Sequence, residues 1–494
     1  MALWHRILSF PAVAGIAFCV IAAPSFGALS RVSQDDGLGG WNHGSGDVRG
    51  GSFAPLSVSA DGRFIAFVTN AENMNIRTGN KGDAVAVLHD MQTGQNTLAS
   101  PTYDGQPQYG GVDSTSVSAD GRYVVFSSWA SNMVVNDTNN AGDVFVRDVW
   151  LGTTARVSVT DNGGQSNEDS WTTARCISAD GRYIVFGSRA TNMTAASDIN
   201  GETDTFVRDI QAGHTYLISK STAGVQSNGG SEEPTISASG RYITFFSFSD
   251  NLVPGLTGKM PRVYVRDTDP TQNKTSLVAA GVLGSISNDG RYVAYMTLPG
   301  AVSTWAQTYI HDMTLGTEKA VSVAPDGVTL GNKDSVISFI NDSGRYVTFT
   351  SKARNLVSDD TNREADVFVR DLQTNTTKRV SVGADGLEGG RGSGYGYPSA
   401  DGRYVAFVSG CEDLVPMDFN EAPDVFLAGP LFATAGFKTS DVLTAAAIIG
   451  GKRIATTGET TAYNVVKTGA GANRVDLADA VRIARMAAGL DVTP

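Results

Sequence analysis

The stretch Ser118–Asp148 reads SADGRYVVFSSWASNMVVNDTNNAGDVFVRD, and variants of it recur along most of the 494-residue chain. A small-residue turn followed by arginine and an aromatic residue occurs seven times: ADGRF at 60–64; ADGRY at 119–123, 179–183 and 400–404; ASGRY at 238–242; NDGRY at 288–292; and DSGRY at 342–346. Successive glycines of this motif are separated by 59, 60, 59, 50, 54 and 58 residues. Such a period, with several short strands in each unit, is typical of a β-propeller or a related β-array.

Each unit predicts four antiparallel strands. In the quoted copy, Ser116–Ala119 ends a first strand, and Asp120-Gly121 forms a hairpin turn because glycine adopts positive φ without steric cost. The apolar run Tyr123–Ser127 predicts a second strand that is covered on both faces. The third and fourth strands are predicted at Val144–Arg147 and Arg156–Val159. Four such strands form one blade, and neighbouring blades bury its faces.

The two ends of the repeat array predict a closed ring. Arg31-Val32-Ser33 matches the fourth-strand text at 156–158 and 379–381, so the array starts with a fourth strand that has no preceding three. The last unit ends with its third strand, Asp424–Ala428. We therefore predict an all-β fold over residues 28–429, a seven-bladed β-propeller closed by pairing of the N-terminal strand with the last blade. The seventh unit has Gly429 after its third strand, whereas the other six have an aspartate that suits the turn into strand four: Asp90, Asp148, Asp209, Asp267, Asp312 and Asp371.

These repeats resemble the TolB-like, WD40-like propeller repeat of the PD40 type. That repeat reads SPDG, an aliphatic and aromatic strand, an I-Y-V-x-D strand and a Thr-Gly turn. The resemblance covers residues 28–429, with alanine in place of proline before most of the Asp-Gly turns. It implies the fold but not a single function, since such propellers serve as binding platforms, transport accessories and enzyme scaffolds.

Residues 1–27 predict a cleaved export signal. His5 and Arg6 precede the apolar run 7–23, and Ser25 and Gly27 supply the small residues of a cleavage site before Ala28. An uncleaved anchor is the alternative, because the apolar run lies at the lower limit for a membrane span. We expect a mature chain without a stable membrane span, located in the periplasm, at the cell surface or outside the cell.

The composition narrows the classes of partner. The chain is 41% hydrophobic and has 56 glycines against 16 prolines, which favours a large all-β repeat protein. Its formal charge of −12 argues against nucleic acid or an anionic membrane as partner and is compatible with cation binding. Cys176 and Cys411 are predicted to be separate free thiols, since a domain held by disulfides would carry more cysteines.

Four units carry the pattern Asp-x-Asn-x-x-x-Asp in the loop between the second and third strands. Alternating oxygen side chains followed by a third are the pattern by which a loop brings hard ligands around Ca²⁺, with carbonyl groups and water completing the shell. The alternative is that these residues form Asx turns, which cap the loop and need no metal. The candidate metal ligands are Asp137, Asn139 and Asp143; Asp198, Asn200 and Asp204; Asp360, Asn362 and Asp366; and Asp418, Asn420 and Asp424.

The topology of an antiparallel blade places these loops on one face with the connections from strand four to the next blade. Long connections are predicted at 161–171, 222–233, 326–334 and 383–397. Four aromatic residues of this region could stack on sugar rings or hold a peptide, although local packing is the alternative interpretation. They are Trp41, Trp171, Tyr395 and Tyr397.

The sequence predicts no catalytic residue and no certain cofactor. His89 and His311 occupy the position held in other units by arginine, as in Arg147, which indicates a structural role. No G-x-S-x-G, H-E-x-x-H or P-loop pattern is present. Some propellers are lyases or glycosidases that build a site in the central channel from dispersed residues, so an enzyme of that type would need clustered histidine, arginine or carboxylate side chains there.

Residues 430–494 predict a separate small α-helical domain. Segments 437–451 and 476–490 each have aspartate near the start, apolar residues at helical spacing and glycine at the end. The second segment resembles the calcium-loop helix of dockerin modules, with Val475–Ala480 matching V-D-L-x-D-A. Thr468, Ala470 and Ala472 occupy the early ligand positions, so weak or no Ca²⁺ affinity is expected. The resemblance implies a docking or surface-retention role.

Together these patterns predict an exported, non-enzymatic binding or scaffold protein that presents a propeller face to a protein or glycan partner, with Ca²⁺-stabilised loops as a further hypothesis. The alternative is a propeller-type lyase or glycoside hydrolase that acts on extracellular polysaccharide.

Overall fold

The computed structural model describes residues 29–33, 47–48, 52–53, 56–71 and 83–431, except 107, 109, 196–197, 301–302, 384–385 and 416–421. The predicted export signal and, beyond residue 431, the predicted helical domain lie outside the described residues. In the described part of the chain, no helix has the length and apolar character needed to cross a membrane.

Seven four-stranded antiparallel sheets form the seven blades of a β-propeller. In every blade the strand named first lies at the channel and the strand named last lies at the outer edge. The first blade contains β4 (Ser57–Val58), β5 (Phe64–Thr69), β6 (Val85–Asp90) and β7 (Gln95–Leu98). The second contains β8 (Val112–Val117), β9 (Tyr123–Ser128), β10 (Asp143–Asp148) and β11 (Thr153–Arg156). The third contains β12 (Ser170–Trp171), β13 (Tyr183–Ser188), β14 (Asp204–Asp209) and β15 (His214–Leu217).

The remaining blades repeat this order. The fourth contains β16 (Ser231–Ile236), β17 (Tyr242–Ser247), β18 (Arg262–Asp267) and β19 (Lys274–Ala280). The fifth contains β20 (Val282–Ile286), β21 (Tyr292–Thr297), β22 (Gln307–Asp312) and β23 (Thr317–Ala320). The sixth contains β24 (Ser335–Ile340), β25 (Tyr346–Ser351), β26 (Asp366–Asp371) and β27 (Thr376–Arg379). The seventh contains β28 (Ser393–Pro398), β29 (Val405–Ser409), β30 (Asp424–Ala428) and β1 (Leu29–Arg31), and the pair β2 (Asp47–Val48) and β3 (Ser52–Phe53) stands apart.

The predicted closure of the ring is confirmed. Strand β1 pairs antiparallel with β30, with Leu29 opposite Ala428 and Arg31 opposite Phe426, so the N-terminal strand completes the last blade. The predicted bounds of the fourth strand were wrong, because β11 spans Thr153–Arg156 and so ends at the residue where the strand was expected to begin. Beyond Arg156 the backbone leaves the ladder, although the amide of Val157 still donates to the carbonyl of Val144 at 2.7 Å.

The repeated glycine of the first hairpin has two structural reasons to be glycine. Gly121 has φ of +76°, a conformation that L side chains rarely adopt. A Cβ on Gly121 would also lie 2.2 Å from the ring of Phe64, which reaches over from the preceding blade. The same contact joins every blade to the next: Phe64 on Gly121, Tyr123 on Gly181, Tyr183 on Gly240, Tyr242 on Gly290, Tyr292 on Gly344, Tyr346 on Gly402 and Tyr404 on Gly62. The motif is therefore an inter-blade contact as well as a turn.

The arginine of the same motif pairs with the aspartate that ends the third strand. Arg122 donates to Asp148 from Nε at 3.0 Å and from Nη2 at 2.7 Å, while the Asp148 carboxylate accepts the turn amides of Trp150 and Leu151. Six blades have this pair: Arg63–Asp90, Arg122–Asp148, Arg182–Asp209, Arg241–Asp267, Arg291–Asp312 and Arg345–Asp371. The sequence analysis assigned the aspartate to the turn and missed its arginine partner. In the seventh blade, Gly429 supplies no carboxylate for Arg403.

The core lies between the blades, where the second and third strands carry the largest buried side chains. Phe126 stacks on Phe145 at 5.6 Å between ring centroids, and Phe186 stacks on Phe206 at 5.8 Å. Cys176 and Cys411 are both buried free thiols, as predicted.

A ring of hydrogen bonds ties the first hairpins to one another around one end of the channel. The amide of Ala60 donates to the carbonyl of Ala119 at 3.1 Å, and Ala119 donates to Ala179 at 3.3 Å. The remaining links run from Ala179 to Ala238, from the Ser239 amide to Asn288 Oδ1, from Asn288 to Asp342, from Asn341 Nδ2 to the Ala400 carbonyl, and from Ala400 back to Ala60. This end of the propeller is called the turn face.

Candidate functional site: the loop face and the central channel

The opposite end of the propeller is the loop face, where the loops between strands two and three lie beside the connections between blades. The strand bounds place the described candidate metal-binding loops of blades two, three and six there, as predicted from the topology. These loops differ in the hydrogen-bond donors and charged groups that surround their carboxylates.

In blade two, the buried carboxylate of Asp143 is fully occupied by protein donors. Its Oδ2 accepts Asn139 Nδ2 at 3.0 Å and lies 3.5 Å from Nε of Arg156, and its Oδ1 accepts hydroxyl hydrogens from Ser158 and Ser166. Arg156 also pairs with Asp137 at 3.1 Å. The guanidinium of strand four therefore lies between the two aspartates that were predicted to bind metal.

Blade three replaces this arginine with an amide. Gln226 Nε2 donates to Asp198 Oδ1 at 2.8 Å and to Asp204 Oδ2 at 2.6 Å, and Leu217 occupies the position of the arginine. The amides of Asn200 and Gly201 also donate to Asp198 Oδ1 at 3.0 and 3.3 Å, which is the Asx-turn geometry of the alternative interpretation.

Blade six leaves one carboxylate without a partner. Asp366 accepts Ser381 Oγ and Asn362 Nδ2, much as in blade two, and burial raises its pKa to about 6. Asp360 is 6% exposed, and neither of its oxygens has a hydrogen-bond partner among the described residues. Ligand atoms of Asp360, Asp366 and Glu388 lie within 4.8 Å of one another.

An arginine reaches this blade-six cluster too. Arg379 Nη1 lies 2.5 Å from Glu388 Oε2 and 3.9 Å from Asp366 Oδ2. Glu388 also accepts the amide of Thr361 at 3.0 Å. Three carboxylates stand against one guanidinium here, which is one negative charge more than in blade two, because Gln165 of blade two takes the place of the glutamate.

Blade seven binds the last aspartate of its loop through the N-terminal strand. Asp418 and Asn420 lie outside the described residues, while Asp424 accepts the Ser33 hydroxyl and lies 3.7 Å from Arg31. The Arg-Val-Ser text therefore supplies both an arginine and a serine to the last aspartate of the loop in blades two, six and seven. The sequence analysis used that text only to place strand four. Its co-occurrence with the loop motif in the same three units was the signal for this link.

The innermost strands of blades four to seven share a β-bulge that faces the channel. The register shifts between Glu232 and Thr235 in β16, and equivalent shifts occur in β20, β24 and β28. At each bulge a non-glycine residue has positive φ: Glu233 at 51°, Leu283 at 55°, Ile337 at 50° and Tyr395 at 56°. This conformation is unfavourable for such residues, and bulges of this kind re-aim side chains near functional sites.

These bulge residues line a channel cavity of about 270 Å³. Its polar lining residues are Glu233, Tyr395, Tyr397, Thr173, Thr235 and Ser338. The hydroxyl of Ser338, a residue that is 2% exposed, has no hydrogen-bond partner among the described residues. Burial, and the like charge of Glu232, raise the pKa of Glu233. Burial and the nearby Glu233 carboxylate likewise raise the pKa of Tyr395. The sequence analysis did not identify Glu233 or Ser338.

Arg175 separates this cavity from the turn face. Its guanidinium crosses from blade three to blade six, where it pairs with Asp342 at 2.8 Å and donates to the carbonyl of Ile340. Ile340 and Asp342 lie at the turn end of β24, whereas Ile337 and Ser338 of the cavity lie two or more residues nearer the loop face. The cavity is therefore on the loop side of the channel.

The predicted aromatic contacts are partly corrected. Trp41 lies outside the described residues. Tyr395 and Tyr397 lie on strand β28 and not on a connection, since the strand begins at Ser393. Tyr397 is 3% exposed and packs on Phe339 at 4.3 Å between centroids, and Trp171 is half-buried in β12. Of the three aromatic residues that the structure describes, Tyr395 is therefore the one that lines the channel cavity while staying partly exposed.

Among the described residues that line the channel cavities, the charged groups are Glu233, Arg175 and Asp342. A second cavity lies at the turn end of the channel, where Arg175 and Asp342 line it and pair with each other. No histidine lines this cavity or the one that contains Glu233. His89 Nδ1 donates a hydrogen bond to Asn96 Oδ1 at 2.8 Å in the outer part of blade one, consistent with the structural role expected for it.

No protein-family model matches the chain, and no curated protein matches it. Among solved structures, TolB from Acinetobacter baumannii has 13% identity and a TM-score of 0.38 over 65% of this chain and 63% of that one, so the match spans less than two thirds of TolB. An oligogalacturonate lyase from Vibrio parahaemolyticus has 14% identity and a TM-score of 0.47 over 81% and 93%. The propeller domain of the Trilobed protease from Pyrococcus furiosus has 10% identity and a TM-score of 0.48 over 81% and 100%. At these identities the likeness concerns the fold alone.

Proposed function

We propose that this chain is an exported, non-enzymatic binding or scaffold protein that presents the loop face of its propeller to a protein or glycan partner. The partner engages the loop-side mouth of the channel. Export rests on the predicted signal at residues 1–27, and the C-terminal dockerin-like segment would add docking or surface retention.

The unpaired carboxylate of Glu233 is the observation that carries this proposal. No described residue gives it a hydrogen bond or an opposite charge, although six blades each pair an aspartate with an arginine at two short hydrogen bonds. Leaving a carboxylate partly buried and unpaired costs free energy, so a group from outside the chain is its natural complement. The unfavourable φ of Glu233 adds a second cost at the same residue.

The contrast between the two ends of the propeller supports the choice of the loop face. The turn face consists of short hairpins whose amides already bond to one another, so few backbone donors are left for a partner. The loop face carries the long connections and the cavity. The lyase or hydrolase alternative needs several catalytic side chains close together, and the described channel residues favour binding over that alternative.

Ca²⁺ stabilisation of the loops is retained as part of the proposal and is best supported in blade six. Asp360 is more than nine-tenths buried, unpartnered and directed at Asp366 and Glu388. Carboxylate oxygens in this number suit a hard cation, with water and carbonyl groups completing the shell. Arg379 would have to give up part of its contact with Glu388. In blades two and three, the protein's own donors already satisfy the equivalent oxygens.

Attachment of a bulky polymer to one face tests the proposal. Leu387 on the loop face and Leu315 on the turn face are matched in exposure at 67% and 66%. Each is changed to cysteine in the full chain and coupled to a polyethylene-glycol maleimide. The native thiols of Cys176 and Cys411 are buried, so the maleimide reacts with the introduced cysteine. Proteins and glycans from the native cell envelope are then captured on each product. We expect the polymer at Leu387→Cys to abolish capture of a partner that the Leu315→Cys product still captures. Equal capture by both products would contradict the proposal.

A further inference from the structure

We propose that the channel cavity takes one organic cation, an alkylammonium or a guanidinium group, with Glu233 as its counter-ion. This inference rests on the proposed function and names the chemistry that its binding site recognises. The group can belong to a free amine or to a lysine or arginine side chain of a protein partner, and the chemistry of the contact is the same in both cases.

The charges around the cavity favour a cation. Besides burial, the charge that raises the pKa of Glu233 is that of Glu232, which has the same sign. The positive charge of Arg175 is already neutralised by Asp342, and its guanidinium is directed to the turn end of the channel. A cation entering from the loop face therefore meets a carboxylate that no described side chain competes for.

The aromatic residues favour an organic cation over a metal ion. Glu233 lies close enough to Tyr395 and Tyr397 to act on the ionisation of both, and Phe339 packs on Tyr397. Aromatic rings attract ammonium and guanidinium groups to their faces. A hard metal ion would instead need about six oxygen ligands, and the cavity offers a single carboxylate. Its other oxygen side chains are neutral hydroxyl groups, of which those of Thr173 and Thr235 already bond within the protein.

The size and polarity of the cavity limit the ligand to a small group. A volume of about 270 Å³ is near the lower end for small-molecule sites, so it suits a side-chain-sized cation and not an oligosaccharide. The buried hydroxyl of Ser338 is an acceptor without a donor among the described residues, and an N–H of the bound cation would supply one. Apolar side chains of Leu283 and Ile337 can contact the alkyl part.

Isothermal titration of the full chain tests this assignment. The probes are n-butylammonium, n-butylguanidinium and the uncharged n-butanol, each titrated into the wild-type protein, Glu233→Gln and Glu168→Gln. Glu168 is an exposed carboxylate outside the cavity, so its variant removes the same charge elsewhere. We expect both cations to bind at least about tenfold more tightly than n-butanol, and Glu233→Gln to lose about tenfold or more, as for a hydrogen bond to a charged group. Glu168→Gln is expected to bind like the wild type.

A peptide arm separates the two sources of the cation. A capped peptide with one lysine is compared with the same peptide carrying acetyl-lysine. Tighter binding of the lysine peptide than of n-butylammonium supports a side chain of a protein partner, and the reverse order supports a free amine. Thermal unfolding of Glu233→Gln confirms that the variant is folded, because neutralising an unpaired carboxylate should not lower its melting temperature.

The proposal is overturned if neither cation binds more tightly than n-butanol, or if Glu233→Gln binds the cations as the wild type does. In that case the polymer experiment with Leu387→Cys and Leu315→Cys still decides whether the loop face is a binding surface. The two proposals therefore fail separately.

Discussion

The ring of Tyr404 in the last blade packs against Gly62 in the first blade, where a Cβ would lie 2.7 Å from the ring. This contact closes a circle in which the aromatic residue of each blade covers the glycine of the next. The pairing of β1 with β30 closes the same circle through hydrogen bonds. Two independent sets of interactions thus hold the ring shut, and both begin at motifs that repeat in the sequence.

The glycine contact predicts a steric cost beyond that of the turn. Gly121→Ala should lower the free energy of unfolding by about 1–2 kcal/mol for positive φ and by about 1–3 kcal/mol more for the clash with Phe64. Gly163→Ala is the matched control, since Gly163 has φ of +84° and nothing within 4 Å of the added Cβ. Urea unfolding measures both variants. Equal losses would show that the Phe64 contact contributes nothing.

Arg156 is predicted to be required for stability because its guanidinium pairs with two aspartates, Asp137 and Asp143. Arg156→Leu copies the residue that blade three has at this position and should cost about 3–5 kcal/mol, as expected when one partner of a buried ion pair is removed. Adding Asp137→Asn should recover part of the loss, because one uncompensated charge disappears. Arg189→Leu, at an exposed position, should change stability little. The prediction fails if Arg156→Leu unfolds at the same urea concentration as the wild type.

The Arg345–Asp371 pair predicts a defined pH dependence. Burial opposes ionisation of Asp371, but hydrogen bonds from Arg345 and from the amides of Gln373 and Thr374 outweigh it and hold its pKa at about 2. Since this pKa is below the unfolded value, the stabilisation is present above pH 4 and is lost as the pH falls toward 2.

Asp371→Asn should therefore be less stable than the wild type by about 1 kcal/mol at neutral pH, a value reduced for the partial exposure of Arg345. The difference should shrink as the pH falls through about 2 and vanish only below that pH, where the wild-type carboxylate is itself protonated. Thermal unfolding across this pH range measures it. A difference that is constant with pH would mean that the charge of Asp371 plays no part.

The blade-six cluster predicts a Ca²⁺ effect that the other described loops do not share. Millimolar Ca²⁺ should raise the melting temperature above its value in EDTA. At a Ca²⁺ concentration one hundred times the dissociation constant, binding adds about 2.7 kcal/mol to the free energy of unfolding. Asp360→Asn should abolish the difference, whereas Asp137→Asn in blade two should leave it unchanged. An identical melting temperature in Ca²⁺ and EDTA would reject Ca²⁺ binding at this cluster.

The sequence predicted the seven blades and their closure because both depend on local text that repeats. The glycine, the strands and the Arg-Val-Ser segment recur at similar spacing, so each copy supports the others. The Arg122–Asp148 pair was missed, although its two residues recur together in six blades. Such pairing is non-local, and the turn alone was a sufficient reason for the aspartate.

The channel cavity could not be predicted in the same way. Its residues come from innermost strands whose texts differ, such as SEEPTI in β16 and SGYGYP in β28. The bulge that directs Glu233 and Tyr395 into the channel depends on the backbone register between two strands, and no local sequence pattern predicts that register. For the same reason Tyr395 was placed on a connection although it belongs to a strand.

The claim that the loop-side channel is the binding surface is tested most directly by photo-crosslinking in cells that make the protein naturally. Benzoylphenylalanine replaces Tyr395 in the cavity or Leu315 on the turn face of the full chain. The account predicts a discrete adduct from position 395, whose formation is prevented when n-butylammonium is present during irradiation, and none from position 315. Adducts of equal yield at both positions, or an adduct at position 315 only, would contradict it.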